Sequence, residues 1–300
     1  MQVNSRLKII CWFLAACFFQ NQAHATESAV PPTMPSGATM GVPIGASPPP
    51  GLYFGVLNAL FNGSVYFNGQ QIPVKKTVAV SVGQFQWVPG YTVLGGSYKA
   101  MLTIPFIYAH QKAYGESSEQ VGLGDITIAP ANLSWMIAPG IFMSGGLSFT
   151  LPTGSFSTER SYVSTGTNRF ATVINTGFSY LRDGWNLSAD FNYFFYTKND
   201  NTNYRSGDEF LMNWTAMKDF GAFSFGPVGY WRKQVADDIN YGTYYGGVSN
   251  GRAEQVGLGF GLSKKFGNVT ATLNYTHDVK KENTLSGGTV FLNFVTPIKF

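Results

Sequence analysis

Along much of this chain the side chains alternate between apolar and polar with period two, and that alternation restricts the backbone conformations open to it. From Trp185 to Phe195 the odd positions are Trp185, Leu187, Ala189, Phe191, Tyr193 and Phe195, while the even positions begin Asn186, Ser188, Asp190 and Asn192. Successive side chains of a strand project to opposite faces, so such a segment has one apolar and one polar wall. The pattern returns at Ile141 to Leu151, Phe210 to Ala216, Glu254 to Leu262 and Val269 to Tyr275. It breaks near Pro130 and again at Pro227. Proline cannot donate to a ladder, so both positions are read as bulges that reset the pleat.

The connections alternate as well. Short ones lie near Pro89-Gly90, Pro139-Gly140, Asp183-Gly184, Phe220-Gly221 and Gly267-Asn268. Long polar ones lie at roughly 62–75, 109–122, 152–168, 198–207, 235–253 and 280–287. Five short turns and six long loops separate twelve strands. A transmembrane barrel requires strands of about 9 to 11 residues with short turns on one side and longer loops on the other. The expected fold is therefore all-β: a transmembrane antiparallel up-and-down β-barrel of about twelve strands over residues 51–300. An even strand number returns both ends of the barrel to the short-turn side.

Composition separates this reading from its rivals. Charged residues make up 12% of the chain, against about 25% in an ordinary soluble domain. The polar faces are built from Asn, Ser, Thr and Gly, which suit a watery or packed lumen. Lipid cannot hydrogen-bond the backbone, so a closed ladder is required there. Tyr98, Trp135, Tyr180, Trp185, Trp214 and Trp231 are placed to form aromatic girdles. A soluble exported β-sandwich is the alternative. Abundant aromatics argue against disorder. The scarcity of strong helix formers argues against a helical bundle. A formal charge of +4 that is not gathered into a patch argues against nucleic-acid binding.

The amino end reads as an export signal. Arg6 and Lys8 precede an apolar core from Ile9 to Phe19, and Ala23-His24-Ala25 is a small-x-small cleavage site. Residues 1–25 are thus a signal peptide, which carries away both cysteines, Cys11 and Cys17. In the alternative, Leu14-Ala15-Ala16-Cys17 is a lipoprotein box and Cys17 is lipidated. Residues 26–50 form a Pro-rich lead without periodicity, either a periplasmic stub or a plug folded into the lumen. At the other end Val290, Leu292, Phe294, Ile298 and Phe300 share one parity. A terminal Phe300 on an amphipathic strand resembles the signal read by the outer-membrane barrel assembly machinery.

Candidate chemistry is sparse. Lys99, Asp190, Asn213, Arg232 and Glu254 fall on or near lumen parity, since a charge facing lipid at midplane costs about 2 to 4 kcal/mol. They either brace the barrel or line a permeation path. The aromatic loop with Tyr241, Tyr244 and Tyr245 is positioned to fold inward onto an apolar solute, or else packs as a surface loop. Asp237-Asp238 with Asn240 offers oxygens to a hard cation such as calcium, at a spacing that matches no known loop. His110 lies near Ser117 and Ser118, and His277 adjoins Asp278. A hydrolase would need such groups assembled in space, and no enzymatic activity, cofactor or metal is expected.

Gly122-Leu123-Gly124-Asp125-Ile126 followed by Pro130 and Trp135, then Leu151-Pro152-Thr153-Gly154-Ser155-Phe156, resemble the meta-pathway phenol-degradation family of outer-membrane proteins. Pro49-Pro50-Gly51-Leu52-Tyr53, and later Gln234 with Asp237-Asp238, are similar to the same family. The resemblance covers roughly residues 50–300. It implies an outer-membrane barrel, in a Gram-negative bacterium, that helps small hydrophobic or aromatic compounds across. Outer-membrane lipid, the assembly machinery and a small hydrophobic solute are its expected partners, and the barrel is expected to be a monomer. A non-transporting structural or adhesive barrel acting through its long loops is the alternative.

Overall fold

The structure, a computed structural model, describes residues 27, 30–158, 163–247, 249 and 251–298. The expected signal peptide, the alternative lipid site at Cys17 and the terminal Phe300 lie outside these residues. Twelve long strands close into one barrel. They are β1 (Gly51–Phe67), β2 (Gln70–Val88), β3 (Gly96–Ala113), β4 (Thr127–Ala138), β5 (Ile141–Thr150) and β6 (Ala171–Tyr180). There follow β7 (Trp185–Tyr196), β8 (Glu209–Asp219), β9 (Ser224–Gln234), β10 (Glu254–Phe266), β11 (Val269–Glu282) and β12 (Thr284–Ile298). Each strand is antiparallel to its neighbours in sequence, and β12 pairs with β1 from Leu52↔Ile298 to Tyr66↔Thr284. Closure leaves no row of unpaired backbone groups at an edge. Glu116–Leu123 pairs with the far half of β3 and β4 with its near half, so the two pieces occupy one place in the ring.

The five short turns fall where the sequence places them. Three of the six expected long loops do not exist as loops. The segments at 62–75, 109–122 and 280–287 are hairpin tips on strands that run on past the apolar belt. Their turns are Asn68-Gly69 (φ 47° and 76°), Tyr114-Gly115 (φ 50° and 92°) and the single residue Asn283 (φ 46°). Two central residues with positive φ give a turn whose twist matches that of the flanking strands. Lys75, Lys112 and Lys280 made these stretches look like loops, yet an exposed ladder tolerates charge as well as a loop does. The true loops are 151–170, 197–208 and 235–253. A two-residue ladder joins the last two, Tyr204–Arg205 against Ile239–Asn240.

Over β5 to β11 the faces follow the alternation. Outside, rings lean on one another across four strands: Phe178–Phe191 at 6.3 Å, Phe191–Phe210 at 6.2 Å and Phe210–Trp231 at 5.6 Å between centroids. Inside, Ser144, Ser188, Asp190, Asn192, Asn213 and Asn274 are buried. Rings also gather at the short-turn end. Tyr98 stacks on Tyr91, Trp135 donates to Leu94 O at 3.0 Å, and Lys218 lies 5.4 Å from the Trp185 ring.

Two local expectations are corrected. Register shifts occur on both sides of β4 near Pro130, as a bulge there requires. At Pro227 there is none: Pro227 pairs with Phe260 in unbroken register. Val228 and Tyr230 are simply inward-facing apolar residues, buried with Leu211, Met217 and Phe291 around Met40.

The second correction concerns the interior. Register and alternation put Leu57, Phe61, Val78, Val80, Val82 and Ile107 of β1 to β3 on the inner wall, where Val78 and Val80 pack with Ile107, Ala109 and Val163. Asn58 and Ser81 take the outer face, and Ser81 Oγ donates to Asn58 Oδ1 at 2.9 Å. Asn58 Nδ2 donates to Leu292 O at 2.8 Å. The lumen is thus polar along much of its wall and apolar in two places: the patch that packs around Met40 and the strip over β1 to β3.

Candidate functional site: the lumen and its inner segment

Upstream of Gly51 the chain turns back into the cylinder and runs along its inner wall. Near the short-turn end Gly45 N donates to Ser179 Oγ at 2.9 Å, while Gly45 O and Ile44 O accept from Ser134 Oγ (2.7 Å) and Ser144 Oγ (3.0 Å). Further along, Gly41 N donates to Thr215 Oγ1 at 2.8 Å and Met40 O accepts from Asn274 Nδ2 at 3.0 Å. Thr39 Oγ1 donates to Asp190 Oδ2 at 2.8 Å, and Gly37 N to Asn213 Oδ1 at 2.7 Å. Met34 O accepts from an Arg232 terminal nitrogen at 2.8 Å. At the long-loop end the Glu27 carboxylate accepts from Asn199 Nδ2 at 3.0 Å and from Thr202 Oγ1. The barrel's own ends share one side, and Glu27 lies at the other.

The small polar side chains of the inner wall account for this path. An irregular buried backbone has no ladder of its own, and its N–H and C=O groups must still be paired. Asn, Ser and Thr supply those partners one by one. Close approach demands glycine: a Cβ on Gly45 would stand 2.7 Å from both Phe142 O and Ser179 N.

Four of the lumen candidates face inward: Lys99, Asp190, Asn213 and Arg232, all buried. Three of them converge on the segment. Asp190 accepts from Thr39, from Asn192 Nδ2 (2.9 Å) and from Asn213 Nδ2 (3.3 Å). Arg232 Nε donates to Glu209 Oε2 at 2.8 Å, a partner the alternation did not single out, and its guanidinium lies 5.6 Å from the Phe194 ring. Among the described residues Lys99 makes no such bond. Glu254 corrects the expectation: it pairs in register with Lys233 on the outer face, accepts from Trp231 Nε1 at 3.0 Å and bridges Lys280 at 2.8 Å. It stands at the first position of β10, above the apolar belt, where water tolerates an outward charge.

The tyrosine loop divides. Tyr241 is exposed and held by its backbone to Asn203 O at 2.9 Å. The Tyr244 hydroxyl donates to Thr158 O, and Tyr245 continues the 3-10 turn Tyr244–Gly247. Asp237 and Asp238 part company. Asp237 meets Arg252 Nε at 2.6 Å, which holds its carboxyl below the usual range. Asp238 is buried and accepts from Tyr204 OH (2.5 Å), Gly207 N (2.6 Å) and Gln234 Nε2 (2.7 Å). Burial outweighs these donors and pushes its carboxyl up to about 7. With their oxygens committed to different partners, the two do not converge on a cation. His110 Nε2 and Ser117 Oγ meet at 2.9 Å on the exposed outer wall, whereas His277 and Asp278 face opposite sides of β11.

The Gly-rich motifs turn out to clasp each other. Gly154 N donates to Asp125 Oδ1 at 2.8 Å, Ile126 N to Thr153 Oγ1 at 2.9 Å and Leu151 N to Ile126 O at 2.9 Å. Thr167 donates to the other Asp125 oxygen through N (2.8 Å) and Oγ1 (2.6 Å). The clasp ties residues 151–155 and 167 to Asp125 and Ile126, and nearby Val163 packs on the apolar strip.

A family model described as "Putative MetA-pathway of phenol degradation" matches residues 63–294. The chain belongs to this phenol-degradation family. The match spans the motif clasp and eleven strands complete or nearly so, from β2 to β12, together with the end of β1. Among solved structures, the COG4313 outer membrane channel from Pseudomonas putida F1 aligns with a TM-score of 0.75 at 16% identity, over 85% of this chain and 98% of that one. The translocator domain of autotransporter NalP from Neisseria meningitidis aligns with a TM-score of 0.51 at 11% identity, over 85% and 91%. At such identities the likeness is one of fold, and the fold of this family member is an outer-membrane barrel. A search of curated proteins gave no match.

Sequence reasoning missed the apolar strip, because the strip lacks the contrast between faces on which alternation depends. It also missed Lys76, which stands one position beyond the expected loop 62–75. The signal for both was Val74, Val78, Val80 and Val82, a run of even-numbered valines on β2.

Proposed function

We propose that this protein, in the outer membrane of a Gram-negative bacterium, lets small hydrophobic or aromatic compounds cross passively. Family membership and the fold shared with an outer membrane channel support the reading. The observation that carries it is the apolar strip of Leu57, Phe61, Val78, Val80, Val82 and Ile107 on the inner wall, separate from the apolar patch that Met40 of the inner segment covers. Ligand paths are mostly apolar with a few placed polar groups. In this reading residues 26–50, freed at their amino end by cleavage after Ala25, are a plug that covers the polar wall and the apolar patch around Met40 and leaves the strip over β1 to β3 to the solute. The barrel is inserted by the assembly machinery through its terminal strand and works as a monomer.

Uptake of toluene by liposomes carrying the folded, heat-modifiable protein tests this. Faster uptake than by protein-free liposomes is expected, with a reduced rate for Val80→Asp. Uptake indistinguishable from that of the lipid alone overturns the proposal and favours the adhesive barrel.

A further inference from the structure

Buried charges in this lumen are not treated alike. The carboxylates of Asp190, Glu209 and Asp278 are each saturated: Asp190 by three side-chain donors, Glu209 by Arg232, and Asp278 by Tyr230 OH, Gln255 Nε2 (2.8 Å) and Gly287 N (2.7 Å). Two lysines are equally deep, Lys76 at 6% exposure and Lys99 at 5%. Among the described residues neither donates a hydrogen bond or joins an ion pair. Lys99 lies within the field of Asp190. Lys76 has no acid on its neighbouring strands at its own level. Register sets it between Gly63 and Gln111, and Val74 and Val78 flank it on its own inner face.

A buried ammonium is expensive unless something pairs with it, and an ionisable group inside a membrane protein marks a functional site with a partner to be found. Among the described residues no partner for Lys76 is present. Lys76 stands at the long-loop end of the apolar strip, so whatever enters along the strip passes its amino group.

We infer that Lys76 is the recognition point for an oxygenated aromatic solute, an aromatic carboxylate or phenolate, whose ring takes the place of Val163 against Val78, Val80 and Ile107. This deepens the channel reading and rests on it. The anionic oxygen accepts from Lys76 Nζ, and the buried Gln111 amide stands beside it as a second donor. Charge-assisted bonds of this kind are the strong ones. A plain hydrocarbon satisfies the strip and leaves Lys76 unpaired, so the lumen selects ring compounds that carry an acidic oxygen.

Calorimetric titration of the mature protein in detergent micelles with benzoate, and separately with toluene, tests the inference. The bond to a charged group is worth about 1.5 to 3 kcal/mol, so Lys76→Met is expected to weaken benzoate binding at least about tenfold and to leave toluene binding unchanged. Lys76→Arg, which keeps the charge, is expected to retain benzoate, and Lys99→Met to change it little. Equal benzoate affinity in wild type and Lys76→Met overturns the inference, as does a wild type that binds no benzoate. Should Lys76→Met lack the heat-modifiable band of a folded barrel, Lys76→Gln carries the same expectation. Toluene uptake by liposomes is read separately, so failure of the channel reading is distinct from failure at Lys76.

Discussion

At the scale of single residues the interior is organised by donors in search of acceptors. Asp190 collects Thr39 from the inner segment and Asn192 and Asn213 from the wall. Replacing it with Ala leaves those donors buried and unpaired, at about 1 to 3 kcal/mol for an orphaned group. The barrel is expected to fold, with the Gly37 and Gly41 amides exchanging with solvent at least about tenfold faster. Unchanged exchange would show that Asp190 does not hold the segment. Asp238 governs the long-loop end. Its folded pKa of about 7 lies above the unfolded value of about 3.9, so across that interval the folded state keeps a proton that the unfolded chain has lost. Stability therefore falls as pH rises through this window and levels off above about pH 7. Hydrogen exchange at Tyr204 to Gly207 is expected to quicken from pH 5 to 8 beyond its intrinsic rise, and Asp238→Asn to remove that excess.

Among the elements, strands and tips differ in what they tolerate. Gly69 needs only its positive φ of 76°, since a Cβ added there would meet nothing within 4 Å. Gly69→Ala is expected to cost about 1 to 2 kcal/mol through backbone strain alone, with the folded band intact on a gel. Gly259 is constrained by space: a Cβ there would fall 1.7 Å from Tyr275 O on the paired strand. Gly259→Val is expected to force β10 and β11 apart and abolish the heat-modifiable band, and a normal band would refute that packing argument. The same contrast explains which strands could be read in advance. β7, β8, β10 and β11 separate lipid from a polar interior, so their alternation is clean. β1 to β3 meet apolar surroundings inside as well, and their pattern blurs. Hairpin tips above the membrane face water on both sides and look like loops.

For the whole molecule the decisive relation is between cylinder and inner segment. Deleting residues 27–48 removes every bond from Gly37, Thr39, Gly41 and Gly45 to the wall, while the ladder from β1 to β12 needs none of them. The shortened protein is expected to keep its heat-modifiable band and to show larger single-channel conductance and faster solute uptake in bilayers. Identical conductance with and without the segment would mean that it does not obstruct the lumen. Among the candidates for the site, Asp190, Asn213 and Arg232 were recognisable by parity, but their common partner was not, because the segment has no periodicity to reveal its path.

By itself the sequence determined a barrel of twelve antiparallel strands and the position of each short turn, because a two-residue period and a lipid exterior impose one pleat and one closure. It also determined that small polar side chains line most of the interior. Tertiary structure alone decided what those side chains bind, since the wall's partners lie up to 235 residues away in the chain and contacts of that range leave no local signature. The apolar strip, the buried Lys76 on it and the clasp between the Gly-rich motifs were decided at the same level, where strands brought side by side give meaning to residues that look ordinary one at a time.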